Sequence, residues 1–329
     1  MMIFAVLLFI AFMMLGRIYE YIYKESFDIK LLKSVVMVGI VHSLFMVLSL
    51  LIPDALYSVI SISELSRTFV DTGLRTPGLF YDGFAIISVF YAILFILALI
   101  VHSRENNFYY MFFITTILLI SIGLTGRSGF LILALGILFL ITYALFYKNL
   151  LKKHTLIKIS FLYILIVTAS FFLFIDFNNL STNLVWILEP LLLFLNEGSL
   201  NTKSTEILFG RMYFLPENEM DILFGMGNFS MTEIGSDSGY IAFIHGGGIL
   251  GLIIFFSIYF YLIYIFYKYT NNIQVKFIGI FLIIAILFGN IKDGYYFAYT
   301  GGWLNILFIF VSIVILRLDD LRRNRIEKN

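Results

Sequence analysis

Three arginines sit in segments rich in glycine or proline: Arg75 in Leu74-Arg-Thr-Pro-Gly78, Arg127 in Thr125-Gly-Arg-Ser-Gly129, and Arg211 in Phe209-Gly-Arg-Met-Tyr213. A guanidinium fork holds phosphate oxygens two at a time and does not lose its charge, which suits a site that handles a diphosphate at a membrane surface. The glycines around Arg127 also let backbone amides approach an anion. Snorkelling to lipid headgroups, or pairing with nearby carboxylates, accounts for an arginine of this kind as well.

Asp237, flanked by Ser236 and Ser238, stands at the mouth of a long apolar run. Two readings are open for it. It caps the following helix through its carboxylate, or it acts as a general base that takes a proton from a sugar hydroxyl. His245 lies eight residues further on, about two helical turns along, and is expected to support the same site from behind. Lys292, in Lys292-Asp293, is an ion-pair partner or a further phosphate contact. Glu217-Asn-Glu-Met-Asp221 has hard oxygens for a divalent cation, and a solvated acidic loop explains it equally. No histidine has the spacing of a metal motif, and His42, inside an apolar run, reads as a buried hydrogen-bonded group or a functional one.

The elements that must position these residues are apolar. Hydrophobic residues make up 61% of the chain and charged ones 13%, with a mean hydropathy of +0.98, against about 25% charged in soluble domains. That composition is expected of an integral membrane protein. Nine stretches approach the roughly 20 apolar residues a span requires, near 1–16, 31–52, 83–101, 108–124, 129–147, 159–175, 239–266, 277–291 and 302–316. They are continuous rather than alternating, so an all-α polytopic transmembrane helix bundle is expected and a β-barrel is not. The whole chain, 1–329, reads as one polytopic membrane domain with a large extracytoplasmic loop at 177–237. Residues 1–15 lack a preceding basic residue and a cleavage pattern, and are expected to remain as a helix.

The absence of cysteine excludes disulfides, thiol nucleophiles and thiolate metal sites. A formal charge of +1 without a basic stripe gives no footprint for nucleic acid. No nucleotide-binding glycine loop and no Ser-His-Asp arrangement is legible, and no cofactor or metal is expected.

Loop charges set the orientation. Arg17, Lys24, Lys30 and Lys33, then Lys148, Lys152, Lys153 and Lys158, then Lys268 and Lys276, and finally the basic tail from Arg317 to Lys328 all fall on one side if nine helices alternate. That side is the cytoplasm. Segments 53–82, 125–129, 177–237 and 292–301 then face outward. The loop at 177–237 holds Glu189, Glu197, Glu206, Glu217, Glu219, Asp221, Glu233 and Asp237 against Lys203 and Arg211. Its few cations therefore stand in an acidic setting. Within it, the apolar run at 184–195, broken by Glu189-Pro190, suits a helix at the interface. Further on, Gly246-Gly-Gly-Ile-Leu-Gly251 allows either close helix approach or a kink.

The pattern resembles the O-antigen polymerase and ligase superfamily of bacterial membrane proteins, and within it the Wzy-type oligosaccharide repeat-unit polymerases. The resemblance rests on Leu124-Thr-Gly-Arg-Ser-Gly129 heading a helix, Gly210-Arg211 in the large loop, Leu223-Phe-Gly-Met-Gly227, and the stretch from Asp237 to Gly251, within about residues 75–310. The ligases carry a histidine and a small polar residue, nine positions, then a Gly-x-x-Gly-like element. Here Asp237-Ser238 precedes nine residues and Gly248-Ile-Leu-Gly251, and the aspartate in the histidine's place points from ligase toward polymerase. The family usually has more than nine helices, which implies a shorter amino-terminal part or a misassigned start.

The resemblance implies glycosyl transfer on the outer face of the bacterial cytoplasmic (inner) membrane, from undecaprenyl-diphosphate-linked oligosaccharide into O-antigen, capsule or exopolysaccharide. It implies Asp237 as base, Arg127 and Arg211 on the diphosphate, and Arg75, Lys292 and His245 as substrate-binding groups. Implied partners are the lipid-linked oligosaccharide, the bilayer, and a chain-length regulator and flippase. A ligase acting on another acceptor, and a lipid-oligosaccharide flippase, are the alternatives. A flippase is expected to show charges within its helices and paired, broken segments in two halves; a non-catalytic assembly or sensor protein has no use for arginines set beside glycine.

Overall fold

The computed structural model describes residues 2–51, 84–102, 108–126, 128–146, 193, 203–270, 272–292 and 303–326. Among them all regular structure is helical. The order is α1 (Met2–Tyr23), a short 3-10 turn (Lys24–Ser26), α2 (Phe27–Leu51), α3 (Phe84–Val101), α4 (Phe108–Thr125), α5 (Ser128–Phe146), α6 (Lys203–Arg211), α7 (Glu219–Phe224), α8 (Met231–Ile234), α9 (Gly239–Tyr269), α10 (Ile273–Gly289) and α11 (Trp303–Ile326). Two helical stretches, Phe27–Val47 and Gly239–Tyr269, are long and apolar enough to cross a membrane. Ile86–Val101, Tyr109–Thr125, Ser128–Thr142 and Ile273–Gly289 are apolar but shorter. The apolar run near 159–175 and the interfacial run at 184–195, apart from residue 193, lie outside the described residues.

The core follows from α3. Its sequence is apolar all round, and such a helix has no side to give to water or lipid. It is buried over nearly its whole length, from Ile87 to Val101, between α2, α4, α5, α10 and α11. Ring stacking of Phe139 on Phe277 at 4.8 Å joins α5 to α10. Several hydroxyls among these helices are satisfied within them: Thr115, Ser121 and Thr125 donate to the carbonyls of Met111, Ile117 and Ser121 at 2.9, 3.0 and 2.7 Å, whereas the Thr116 hydroxyl is buried without a hydrogen-bond partner. His42 is a buried hydrogen-bonded histidine, with Nδ1 on the Tyr91 hydroxyl.

One end of the bundle gathers the last turns of α1, α9 and α11 and the first turns of α2 and α10. Arg17 pairs there with Glu20 at 2.9 Å and with Asp319. Arg317 reaches the buried carboxylate of Asp28 at 3.3 Å, with its guanidinium 4.7 Å from the centre of the Phe27 ring. Asn272 caps α10 by accepting from the Gln274 amide at 3.0 Å and donates to Asp28 at 3.4 Å. The Gln274 side chain in turn donates to the Ile100 carbonyl of α3 at 2.9 Å. These pairings explain why α1 and α11 run past the apolar stretches expected at 1–16 and 302–316: charges matched across helices let the helix continue beyond its hydrophobic part.

Candidate functional site

The opposite end collects most of the sequence-predicted residues that are described, and α9 is responsible. Its 31 residues would rise about 46 Å as a straight helix, well beyond the roughly 30 Å of a bilayer core. It is not straight. Gly248 has φ 65 and ψ −174, a conformation essentially reserved for glycine, and divides α9 into a first segment at 239–247 and a second at 249–269. A straight helix would carry Tyr240 about 18 Å past the end of α10. Instead the Tyr240 amide donates to the Asn290 carbonyl at 3.3 Å and its hydroxyl to the Leu287 carbonyl at 2.5 Å. The first segment therefore turns back across the end of α10.

The break frees helix carbonyls, and the loop motif Leu223-Phe-Gly-Met-Gly227 takes them. The Met226 amide donates to the His245 carbonyl at 2.7 Å and the Gly227 amide to the Gly246 carbonyl at 3.0 Å. Any side chain at Gly248 would run into the Leu223 carbonyl and the Phe224 amide. The two glycine-containing motifs are thus halves of one joint. α7 feeds this joint: Asn218 caps it by accepting from Met220 at 3.1 Å, and the Gly225 amide closes its last turn on the Asp221 carbonyl at 2.8 Å. α8 is capped by Ser230, whose hydroxyl accepts from the Glu233 amide at 3.3 Å, while the Ser230 amide donates to Asn228 Oδ1 at 2.9 Å.

Ser236 carries the next link. Its hydroxyl donates to the Met212 carbonyl at 2.7 Å and accepts from the Ser238 amide at 3.1 Å. Arg211 and Asp237 are the immediate neighbours of this cross-link, one on each chain segment. Tyr213 donates to the Ile291 carbonyl at 2.6 Å, which brings the loop after α6 beside Lys292. Phe214 meets His245 edge to face, with ring centres 5.2 Å apart. Arg211, Asp237, Lys292 and His245 are therefore assembled around the first segment of α9. Asp237 and Arg211 are exposed and Lys292 half-buried, and among the described residues the side chain of none of the three makes a hydrogen bond or ion pair.

The capping reading of Asp237 does not hold: the residue at the cap position of α9 is Ser238, and Asp237 lies outside the helix. Ser238 does not cap through its side chain either. Its hydroxyl, the Nε2 of His245 and the Oδ1 of Asn290 are all buried without a partner. Asp237 precedes the segment that carries His245, which lies about 9 Å along it from Gly239, and the buried Nε2 of His245 makes no hydrogen bond to the carboxylate. Ser238, Tyr213 and Asn290 were not legible as site residues; their one signal is position next to Asp237, Arg211 and Lys292.

The Thr125-Gly-Arg-Ser-Gly129 turn is held at this end of α3. The Gly129 amide donates to the Ser88 hydroxyl at 2.9 Å, and Ser128 and Ser88 hydroxyls lie 3.1 Å apart. Gly129 is required there, since a side chain would meet the Ser88 carbonyl. Arg127 itself, and Arg75, lie outside the described residues. Among the described residues no three His, Asp or Glu side chains gather as a metal site, and of the acidic run Glu217-Asn-Glu-Met-Asp221, Asn218 caps α7 and Glu219 and Asp221 lie in its first turn.

The fold and this site define an all-helical protein with helices suited to a membrane and a charged, hydrogen-bond-poor cluster at one end. No family model, no curated protein and no solved structure matches the chain.

Proposed function

We propose that the protein is a polytopic glycosyltransferase of about nine spans in the bacterial cytoplasmic membrane. It polymerises undecaprenyl-diphosphate-linked oligosaccharide repeat units into a surface polysaccharide on the outer face. The observation that carries this reading is the pair of exposed, unpaired and opposite charges, Arg211 and Asp237, held on either side of the Ser236–Met212 hydrogen bond. Neither charge contributes to holding the fold among the described residues, and a transfer reaction of this kind needs one of each sign.

Asp237 accepts the proton of an acceptor sugar hydroxyl as that oxygen attacks the anomeric carbon of the donor. The bond from that carbon to the diphosphate oxygen breaks, and the lipid diphosphate leaves with its charge. Arg211, with Lys292 alongside and Arg127 and Arg75 as further cations, holds the leaving group. A diphosphate departs readily, so positioning and charge neutralisation are the main tasks. His245 lies beneath the site as a substrate-binding or supporting group.

The test is reconstitution: purified protein in detergent, the host's own lipid-linked repeat unit, no metal and no nucleotide sugar, products sized on a gel. A ladder that is lost in Arg211→Ala and Asp237→Asn is the expected result. Absence of a ladder from folded protein with authentic substrate would sink the reading and redirect attention to lipid-oligosaccharide flipping in vesicles.

A further inference from the structure

We infer that α7 and the Leu223-Phe-Gly-Met-Gly227 joint form a shallow membrane anchor, with Met220, Leu223, Phe224 and Met226 set into the acyl region of the outer leaflet. This rests on the membrane placement in the proposed function but not on its chemistry.

α7 has no buried residue, yet three of its six side chains are large and apolar and exposed: Met220 at 60%, Leu223 at 44% and Phe224 at 58%. Their spacing of three and four puts them on one face. Met226, just beyond, is exposed at 52%. A contiguous exposed apolar face marks an interaction surface, and the second segment of α9 shows what covers it.

That segment presents Ile249, Leu250, Ile253, Ile254 and Ile258 outward, a face suited to lipid. At its far end Tyr261, Tyr264 and Tyr267 are exposed, and Lys268 donates to the Tyr264 hydroxyl at 2.7 Å, as in an aromatic belt at a membrane–water boundary. From residue 249 to residue 267 the rise is about 27 Å, close to the roughly 30 Å of the hydrocarbon core. Gly248 therefore marks the other boundary. The Leu223 and Phe224 backbones pack against Gly248, so the apolar face of α7 continues the lipid face of α9 at the level where headgroups meet acyl chains. Glu217 and Glu219 stay exposed, consistent with a helix lying in the interface plane.

The chain has no cysteine, so a single engineered thiol takes an environment-sensitive fluorophore at one place only. The full-length protein carrying Phe224→Cys, Met220→Cys or Glu217→Cys is labelled and placed in phosphatidylcholine vesicles; gel filtration confirms that each variant is folded. Labels at positions 220 and 224 are expected to shift to the blue and lose most of their emission to a lipid nitroxide near the headgroup, with less loss to one near the chain end. The label at 217 is expected to respond to aqueous iodide instead. Iodide quenching at 220 and 224 overturns the inference. So does emission shielded from both quenchers together with cross-linking between copies, which assigns the face to a second chain. A protein inactive as a polymerase still gives the lipid signal, and an active one with a water-exposed label defeats this inference alone.

Discussion

The two ends of the bundle treat charge in opposite ways. At the end holding Asp28, Arg317, Arg17 and Asp319, the charges are partnered: Asp28 is buried and takes contacts from Arg317 and Asn272, and Arg17 serves two carboxylates. At the end holding Arg211 and Asp237, opposite charges lie close along the fold and remain apart, while Ser238, His245 and Asn290 each bury an unpartnered polar atom. Buried polar groups in proteins are almost always satisfied, but the exceptions are not confined to this end, since the Thr270 hydroxyl is buried without a partner at the other; the contrast rests on the charges. The first end pairs its charges and so holds helices together, and the second leaves its charged side chains for something outside the described residues.

The comparison is broken most decisively at the second end. Asp237→Asn is expected to lower glycan transfer by about 10²–10⁴-fold, the range of a lost general base. Arg211→Ala is expected to cost about 10²–10³-fold, as for a lost charge-stabilising group. Neither should move the melting temperature in detergent, because neither side chain holds the fold. A melting shift together with the activity loss would show that these residues are structural and would remove the contrast.

Next in size is the joint itself. Gly248→Ala combines a backbone conformation essentially closed to alanine, costing about 1–3 kcal/mol, with a collision against the Leu223 carbonyl that backbone cannot relieve by changing rotamer. A drop in stability of about 3 kcal/mol is expected, with transfer activity falling as the 239–247 segment loses its position. Melting by fluorescence-detected gel filtration, beside the ladder assay, checks both. Gly210→Ala makes the control: the same residue pair, but open space around the added methyl, with little change in melting.

The helices of the bundle were largely legible, and the site was not, for a physical reason that the joint illustrates. The run at 83–101 predicted α3 to within a residue because a continuous apolar stretch bounded by polar residues leaves few alternatives. The extensions of α1 and α11 through Arg17 and Arg317 were missed because what keeps those charges helical comes from other helices. The glycine run at 246–248 allowed a kink or a close approach, and it makes both. The backbone of 223–227, distant in sequence, fixes that outcome. Asp237 looked like a capping residue on local grounds, whereas the cap position falls one residue later and a serine hydroxyl at 236 is spent on Met212. The motif strings were visible in the sequence, but their docking on one another was not.

The partnered end gives the smaller effects, and their ranking tests why it is there. Asp28→Ala strands Arg317, whose side chain is 29% exposed against 3% for Asp28. Breaking a fully buried pair costs roughly 3–5 kcal/mol; with one partner still reaching water, about 2 kcal/mol is expected. Arg17→Gln should cost less than about 1 kcal/mol, since Arg17 and Asp319 are each 38% exposed and only Glu20 is better shielded, at 18%. Salt separates the two cases. Near 1 M ionic strength the screening length falls to about 3 Å, so the Arg17→Gln difference in melting should vanish while most of the Asp28→Ala difference survives. If both vanish together, Asp28 is no more sequestered than a surface carboxylate, and the clamp at this end owes its strength to the packing of Phe27 and its neighbours rather than to charge.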